Sequence, residues 1–299
     1  MASYTSYDVV GKKEDISDVI SNISPTKTPF TSMTGSETVK NTLFQWQEDS
    51  LAAVNLANAQ VDGFEASETA PVPTVMRSNY TQILSKTLKV AETTDAVSRY
   101  GRAKETAYQI AKYSAELKRD LEAIMLNAQA SAAGSNGAAR NMASFQAMCG
   151  TTFVHTGGAG TAMTEAQLLS ALQTLYTNGV DADILMIPPA ESTAIASYAS
   201  ASGRYRTIPT EDNSANQKIV NVVDLYVSPF GEVKVVLNRF QLATDYLIFE
   251  TAMWKKQVLR PWSRETLART GDATKQMIVG EFSLKHKNFL ASIFVRKVA

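Results

Sequence analysis

The residues able to do chemistry are few. The 299-residue chain holds two histidines and one cysteine: His155, His286 and Cys149. A zinc site asks for about three or four nitrogen and sulfur ligands, so one here would have to use every such residue or borrow Asp or Glu. The spacing points to a small packed thiol and two surface histidines. Ser24-Pro25-Thr26-Lys27 has the S-x-x-K spacing of a serine acyl-transfer site, but the companion S-D-N and K-T-G motifs are absent; the segment reads as a proline-locked arm. Asp181 and Asp183 point to one side of an extended segment and could share a divalent cation, yet after Asn178-Gly179 they read as solvated turn residues. Trp254-Lys255-Lys256 and Arg260-Pro261-Trp262-Ser263-Arg264 interleave aromatics with bases, a pattern that can stack nucleobases and hold phosphates. Lysine and arginine stems laid over tryptophan in a subunit contact explain it as well. No G-x-S-x-G, H-E-x-x-H or G-x-x-x-x-G-K-[ST] motif occurs. Catalytic residues, metal ligands and cofactors are therefore expected to be none.

Composition narrows the classes further. Hydrophobic residues make up 44% and charged residues 19%, as in an ordinary folded protein. Lys plus Arg equals Asp plus Glu at 29 each, which argues against a nucleic-acid binder held by phosphate neutralisation and permits self-association. The single cysteine fits a reducing compartment. Neither a secretory signal at Met1–Tyr7 nor an apolar run of the ~18 residues of a membrane span is visible, so no membrane partner is expected. The charge is unevenly placed. Between Asn41 and Met76 there is no base but there are five acids, Glu48, Asp49, Asp62, Glu65 and Glu68; from Ala252 to Ala299 ten bases face three acids.

The positioning elements follow from periodicity. Residues 1–35 are polar, broken by Pro25 and Pro29, and too poor in apolar residues to bury themselves; they read as an arm lying on another subunit. Thr38–Trp46 and Ile83–Val90 read as strands, and the polar, alanine-rich stretch between them as the tip of an extended two-stranded arm. Over 101–130, Ala107, Ile110, Ser114, Leu117, Leu121, Ile124 and Ala128 keep a 3-4 spacing that predicts one long helix laid along a sheet. Residues 131–160 are loop-rich. Thr164 to Gln167 has capping-box spacing and opens a helix with Leu168, Leu172 and Leu175 on one face. Ile184–Ile187 reads as a buried strand, Pro188-Pro189 as the start of a helix through Tyr198, and 219–227 with 233–237 as a hairpin. Further strands are expected at 246–249, 277–282 and 289–295. The order predicts an α+β fold, without the strand–helix alternation of doubly wound enzymes.

Read in order, several stretches resemble tailed-bacteriophage major capsid (major head) proteins. They are Gly11–Asp15, Ser24–Phe30, Trp46 with Asp49–Leu51, Arg99–Gly101, Glu116–Asp120, Phe230–Val233 with Asn238-Arg239, and above all Glu265–Ser283. The resemblance runs from about residue 8 to the end. It implies the capsid fold first seen in phage Hong Kong 97, divided as N-terminal arm 1–37, E-loop hairpin 38–98, peripheral domain with its spine helix 99–160, axial domain 161–244 and peripheral return strands 245–299. It also implies a structural role in the virion, assembled in the host cytoplasm: chains pack into rings of five and six that tile an icosahedral shell around double-stranded DNA. Partners would be the chain itself, a portal protein, decoration proteins, DNA contacted without sequence preference, and a scaffolding protein; since the capsid-like pattern starts almost at Met1, the resemblance implies either a separate scaffolding protein or none. The charge asymmetry then gives candidate subunit-interface residues. Glu48, Asp49, Asp62, Glu65 and Glu68 of one chain would face Arg102, Lys118, Arg119, Lys255, Lys256, Arg260 and Arg264 of another. An encapsulin-type nanocompartment shell shares the expected fold, and a cytoplasmic hydrolase or transferase is the alternative from another class.

Overall fold

A computed structural model describes residues 24–66, 68, 70–98, 104–155, 162–201, 224–243 and 245–297. In chain order the helices are α1 (Pro29–Met33), α2 (Glu92–Ala96), α3 (Glu105–Leu126), α4 (Phe145–Met148), α5 (Glu165–Thr177) and α6 (Ser192–Ala201). The strands are β1 (Gly35–Thr38), β2 (Leu43–Glu48), β3 (Val75–Tyr80), β4 (Gln82–Ala91), β5 (Thr151–His155), β6 (Ile184–Ile187), β7 (Leu225–Ser228), β8 (Gly231–Leu237), β9 (Asp245–Phe249), β10 (Trp254–Leu267), β11 (Ala273–His286) and β12 (Ser292–Lys297). They form a four-stranded sheet β1-β10-β11-β4, a six-stranded mixed sheet β5-β12-β9-β6-β8-β7, and the separate β2-β3 pair.

Alternation along β9 explains how two cores share one sheet. Successive strand residues point to opposite faces. Leu247 and Phe249 enter the core that also holds α1, α3, α4 and the four-stranded sheet. Tyr246 and Ile248 enter a second core with Leu168, Leu172 and Leu175 of α5 and Ile195 of α6. Both faces are covered, so every residue of β9 and of β6 is buried and both strands read as continuous apolar runs. The expected boundary at residue 245 cuts through this sheet: β9 and β12 join β6, β7 and β8, while only β10 and β11 return beneath α3.

The long helix is present but shorter than the 101–130 expectation, with 22 residues and a length of about 33 Å. Asp95 of α2 caps its start, its Oδ1 accepting the N–H groups of Glu105 and Thr106 at 2.9 and 3.2 Å. It ends at Leu126 because Gln129 is claimed by tertiary bonds: its N–H donates to Ser144 Oγ at 3.0 Å and its Nε2 to Gln82 Oε1 at 2.7 Å. Leu117, Leu121, Met125 and Leu126 are buried, and Ile110 and Ile124 pack partly against them. Ala107, expected inside, is exposed, as is Ala128 beyond the helix end; the buried stripe begins only mid-helix.

Three further expectations change. The strand expected over Thr38–Trp46 is broken where Asn41 Oδ1 accepts the Thr42 N–H at 2.7 Å, a side-chain turn that competes with the ladder. Its first part, β1, pairs with β10; its second, β2, pairs with β3, which lay unread inside the expected tip. The Ile83–Val90 strand, expected to close the arm, instead pairs with β11. Finally, of the arm expected over residues 1–35, residues 1–23 lie outside the described residues, and α1 packs into its own subunit. Phe30 is wholly buried in its own chain, edge-on to Phe145, Phe249 and Trp254 at 5.6 to 6.1 Å between ring centroids.

Candidate functional site

The β2-β3 pair packs on the core through Phe44 and Trp46, the described residues of the loop between the strands are exposed and form the tip of the arm, and the pair is clasped where that loop begins. Glu48, at the end of β2, is paired with Arg77 at 2.6 Å and accepts the Phe289 N–H at 2.9 Å. The Arg77 guanidinium lies 4.2 Å from the centre of the Phe289 ring. Glu48, opposite Val75 where the loop begins, is thus anchored to its own chain with a nearly buried carboxylate, and is not one of the exposed tip acids it was expected to join. Beyond it, Asp49, Asp62, Glu65 and Glu68 are exposed as expected.

What the charge pattern did not reveal is the apolar content of the tip. Leu51, Val54, Leu56, Val61 and Val72 are 77 to 98% exposed, and Phe64 is 52% exposed. Apolar side chains gathered on one projecting element mark an interaction surface. Their signal in the sequence was an aliphatic residue every few positions without the period of a helix or strand.

The expected basic partners are not one patch. Strand register assigns them to faces, because residues directly opposite in a ladder share a face. Lys255 opposes Lys285, and Arg260 opposes Glu281, which in turn opposes Ile83 of β4; these lie on the face away from α3. Lys256 opposes Leu284 and Arg264 opposes Ile278, so these two lie on the α3 side. Arg260 is engaged within its own chain, at 3.0 Å from the buried Glu281 carboxylate, which Arg140 also reaches at 2.6 Å. Burial holds the Lys256 ammonium below its ordinary range. Lys118 is exposed and Arg119 half-buried on α3. Arg102 lies outside the described residues.

Two buried carboxylates, Glu122 and Glu281, hold the framework. Glu122 accepts the Phe30 and Thr31 N–H groups at 2.7 and 2.8 Å and the Asn238 amide at 2.7 Å. Glu281 accepts from Thr81 Oγ1 at 2.6 Å as well as from its two arginines. Each is a charge-assisted network with its partners present, the condition under which a buried charge is tolerated.

The chemical candidates do not converge. His286 is not a surface histidine. It is buried, stacked on Trp254 at 3.9 Å, with Nδ1 3.0 Å from Met148 O and Nε2 3.0 Å from Ser292 Oγ. Trp254 Nε1 donates to the same Ser292 Oγ at 2.8 Å. Burial pushes the imidazole down to about 4. Cys149 donates to Ser292 O at 2.7 Å; the side chain of His155 lies outside the described residues. Asp183 is engaged as a turn residue, accepting the Thr251 N–H and hydroxyl at 2.9 and 2.5 Å. Burial first, then Asp183 and Asp181, raise the Glu250 carboxyl, but among the described residues no cluster forms a metal cage. Ser24 and Lys27 lie in extended, exposed chain. Trp254 is fully buried against Phe145 and is out of reach of any nucleobase. Among the described residues no helix is long and apolar enough to cross a membrane.

Known proteins give this arrangement its context. The model of the SU10 major capsid protein family matches residues 3–299. The major capsid protein of Escherichia phage Phieco32 is 33% identical, over 97% of this chain and 95% of that one. Capsid structures share the fold at low identity. That of Microbacterium phage Oxtober96 has a TM-score of 0.65 at 11% identity, covering 99% of this chain and 100% of that one. The SrpI encapsulin of Synechococcus elongatus has 0.59 at 9%, covering 93% and 91%. The encapsulin likeness extends to the fold alone, whereas the family match and the phage relative extend along the sequence. The chain belongs to the SU10 major capsid protein family, with the Hong Kong 97-like α+β fold, and is a structural shell protein and not an enzyme.

Proposed function

We propose that the projecting β2-β3 arm is the main contact element between copies of this major capsid protein. The observation that supports it most directly is the tip itself: Leu51, Val54 and Leu56 stand 87 to 98% exposed on the loop between β2 and β3. Heterologous contacts of this kind close into rings of five and six, and rings tile a shell. Individually weak contacts repeated over many neighbours add by multivalency while wrong ones can still dissociate. In this reading the four-stranded sheet with α3 is the peripheral domain and the six-stranded sheet with α5 and α6 the axial domain. Packaged DNA, a scaffolding protein, a portal protein and decoration proteins are its further partners.

The tip acids Asp49, Asp62, Glu65 and Glu68 would set the register of the arm against bases of a neighbour. Candidates are Lys118 and Arg119 on α3 and Lys255, Lys256 and Arg264 on the strands, with Arg260 already held by Glu281. Single exposed pairs contribute only ~0–1 kcal/mol, so the effect is one of orientation more than affinity. Converting all four tip acids to amides should leave the subunit folded and reduce assembly. Raising salt from ~0.05 to ~1 M, where the screening length falls to ~3 Å, should weaken the unmodified chain in the same way. Full assembly of the amide variant at every salt concentration would refute the role of these charges.

A further inference from the structure

A cleft of about 490 Å³ opens where the start of α3 meets α2 and the far ends of β10 and β11. Ala96, Ala107 and Ile110 line it on one side, and Lys104 and Arg264 stand in its wall. The acids there are already engaged. Asp95 caps α3, and Glu92 is paired with Arg269 at 2.8 Å. Lys104 and Arg264 make no ion pair among the described residues. Gln276, also in the lining, has a buried Oε1 with no hydrogen-bond partner there. An unpaired buried acceptor is a cost that an incoming donor removes.

The arm ends in a shape that complements each of these features. Val61-Asp62-Gly63-Phe64 is a turn closed by the Phe64 N–H to Val61 O at 3.1 Å. Gly63 sits at φ 79°, the left-handed value that turns of type II need at their third residue. The turn presents the half-exposed Phe64 ring between two exposed carboxylates, Asp62 and Glu65.

We propose that the Phe64 turn of one copy seats in the α3 cleft of a second copy. The ring packs on Ala96, Ala107 and Ile110, the two carboxylates face Lys104 and Arg264, and a backbone N–H of the turn donates to Gln276 Oε1. An aromatic anchor in a concave, partly apolar seat with charges at its rim is the usual anatomy of an interface hot spot. The proposal rests on the arm being an inter-subunit element and names its receptor.

Two experiments on the full chain test it. In the first, assembled Phe64→Cys/Ala107→Cys protein is treated with copper(II) phenanthroline. Two copper(II) ions each accept one of the two electrons released as two thiols lose their protons and join. The expected product is a ladder of covalently linked multimers on a non-reducing gel, absent from either single variant, both of which retain Cys149. In the second, Arg264→Glu should lower shell yield about fivefold, and adding Glu65→Lys should restore it. Ala107 and Arg264 are exposed, so these changes spare the core. A ladder or a restoration supports the seat. Normal shells from the unmodified chain, with neither a ladder nor a restoration, overturn the seat and leave the shell reading standing. No shells from the unmodified chain overturn both.

Discussion

The carboxylate of Glu122, near the C-terminal end of the long helix, accepts the backbone N–H of Phe30 at 2.7 Å across 92 residues of chain. The same Oε1 takes the Asn238 amide, and Oε2 takes the Thr31 N–H. One side chain thereby joins α1, α3 and the loop after β8. Glu122→Gln replaces an acceptor oxygen with a donor aimed at other donors. It should cost about 2–4 kcal/mol, read as a lower urea midpoint with unchanged slope. A midpoint equal to that of the unmodified chain would show that the three bonds are not worth their burial.

Phe30 anchors the same junction from the apolar side. Truncating it to alanine in this aromatic cluster should cost about 3–5 kcal/mol. A chain starting at Lys27 should melt normally, whereas one starting at Ser36 should be insoluble or markedly destabilised. Equal melting of the two truncations would mean that residues 29–35 contribute nothing to their own subunit.

Placement of the helix face makes a contrast between neighbours. Leu117→Asp and Leu121→Asp bury an unpaired charge and should each cost several kcal/mol. Ala107→Asp, on the exposed end of the same stripe, should fold like the unmodified chain. Loss of soluble protein in all three would contradict the observed start of the buried stripe.

Much of this was readable from local pattern. Thr164 and Gln167 form the capping box their spacing predicted, with both reciprocal bonds present. Gly179 follows the helix at φ 81°, and Ile184–Ile187 is the buried strand its apolar run announced. The failures share a cause. β10 went unread because Pro261 and five charged side chains interrupt its period; the strand accommodates them with register shifts between Val258 and Ser263, where a missing N–H costs no ladder bond. Nothing local marks Glu122 and Glu281 as buried, because most of their donors come from 91 to 200 positions away in the chain, such as Thr31 at 91, Asn238 at 116 and Thr81 at 200. His286 looked exposed because nothing near it in sequence shows that Trp254 covers it. Of the candidate interface residues, the tip acids were legible as a run without bases. The involvement of Glu48 with Phe289 and of Arg260 with Glu281 was not, since both pairings depend on tertiary register.

His286 predicts a pH dependence with a definite sign. Its folded value of about 4 lies below the ordinary 6.5, so the unfolded chain binds the extra proton between the two. Its contribution is present above about pH 6.5 and is lost as pH falls toward about 4, by on the order of 3 kcal/mol in total. Geometry supports the direction. Nε2 accepts from a Ser292 hydroxyl whose oxygen is held by Trp254, and a proton there would set donor against donor. Urea midpoints measured at about pH 7 and about pH 4.5 should fall further for the unmodified chain than for His286→Asn. Parallel falls would remove His286 from the account.

The most direct test of the central claim is an electron micrograph of the purified full-length chain at low salt, beside a variant with Leu51, Val54, Leu56 and Phe64 changed to serine. Closed shells or five- and six-membered rings are expected from the unmodified chain, and dispersed, folded subunits from the variant. Small monodisperse particles from both, or normal shells from both, would contradict that claim.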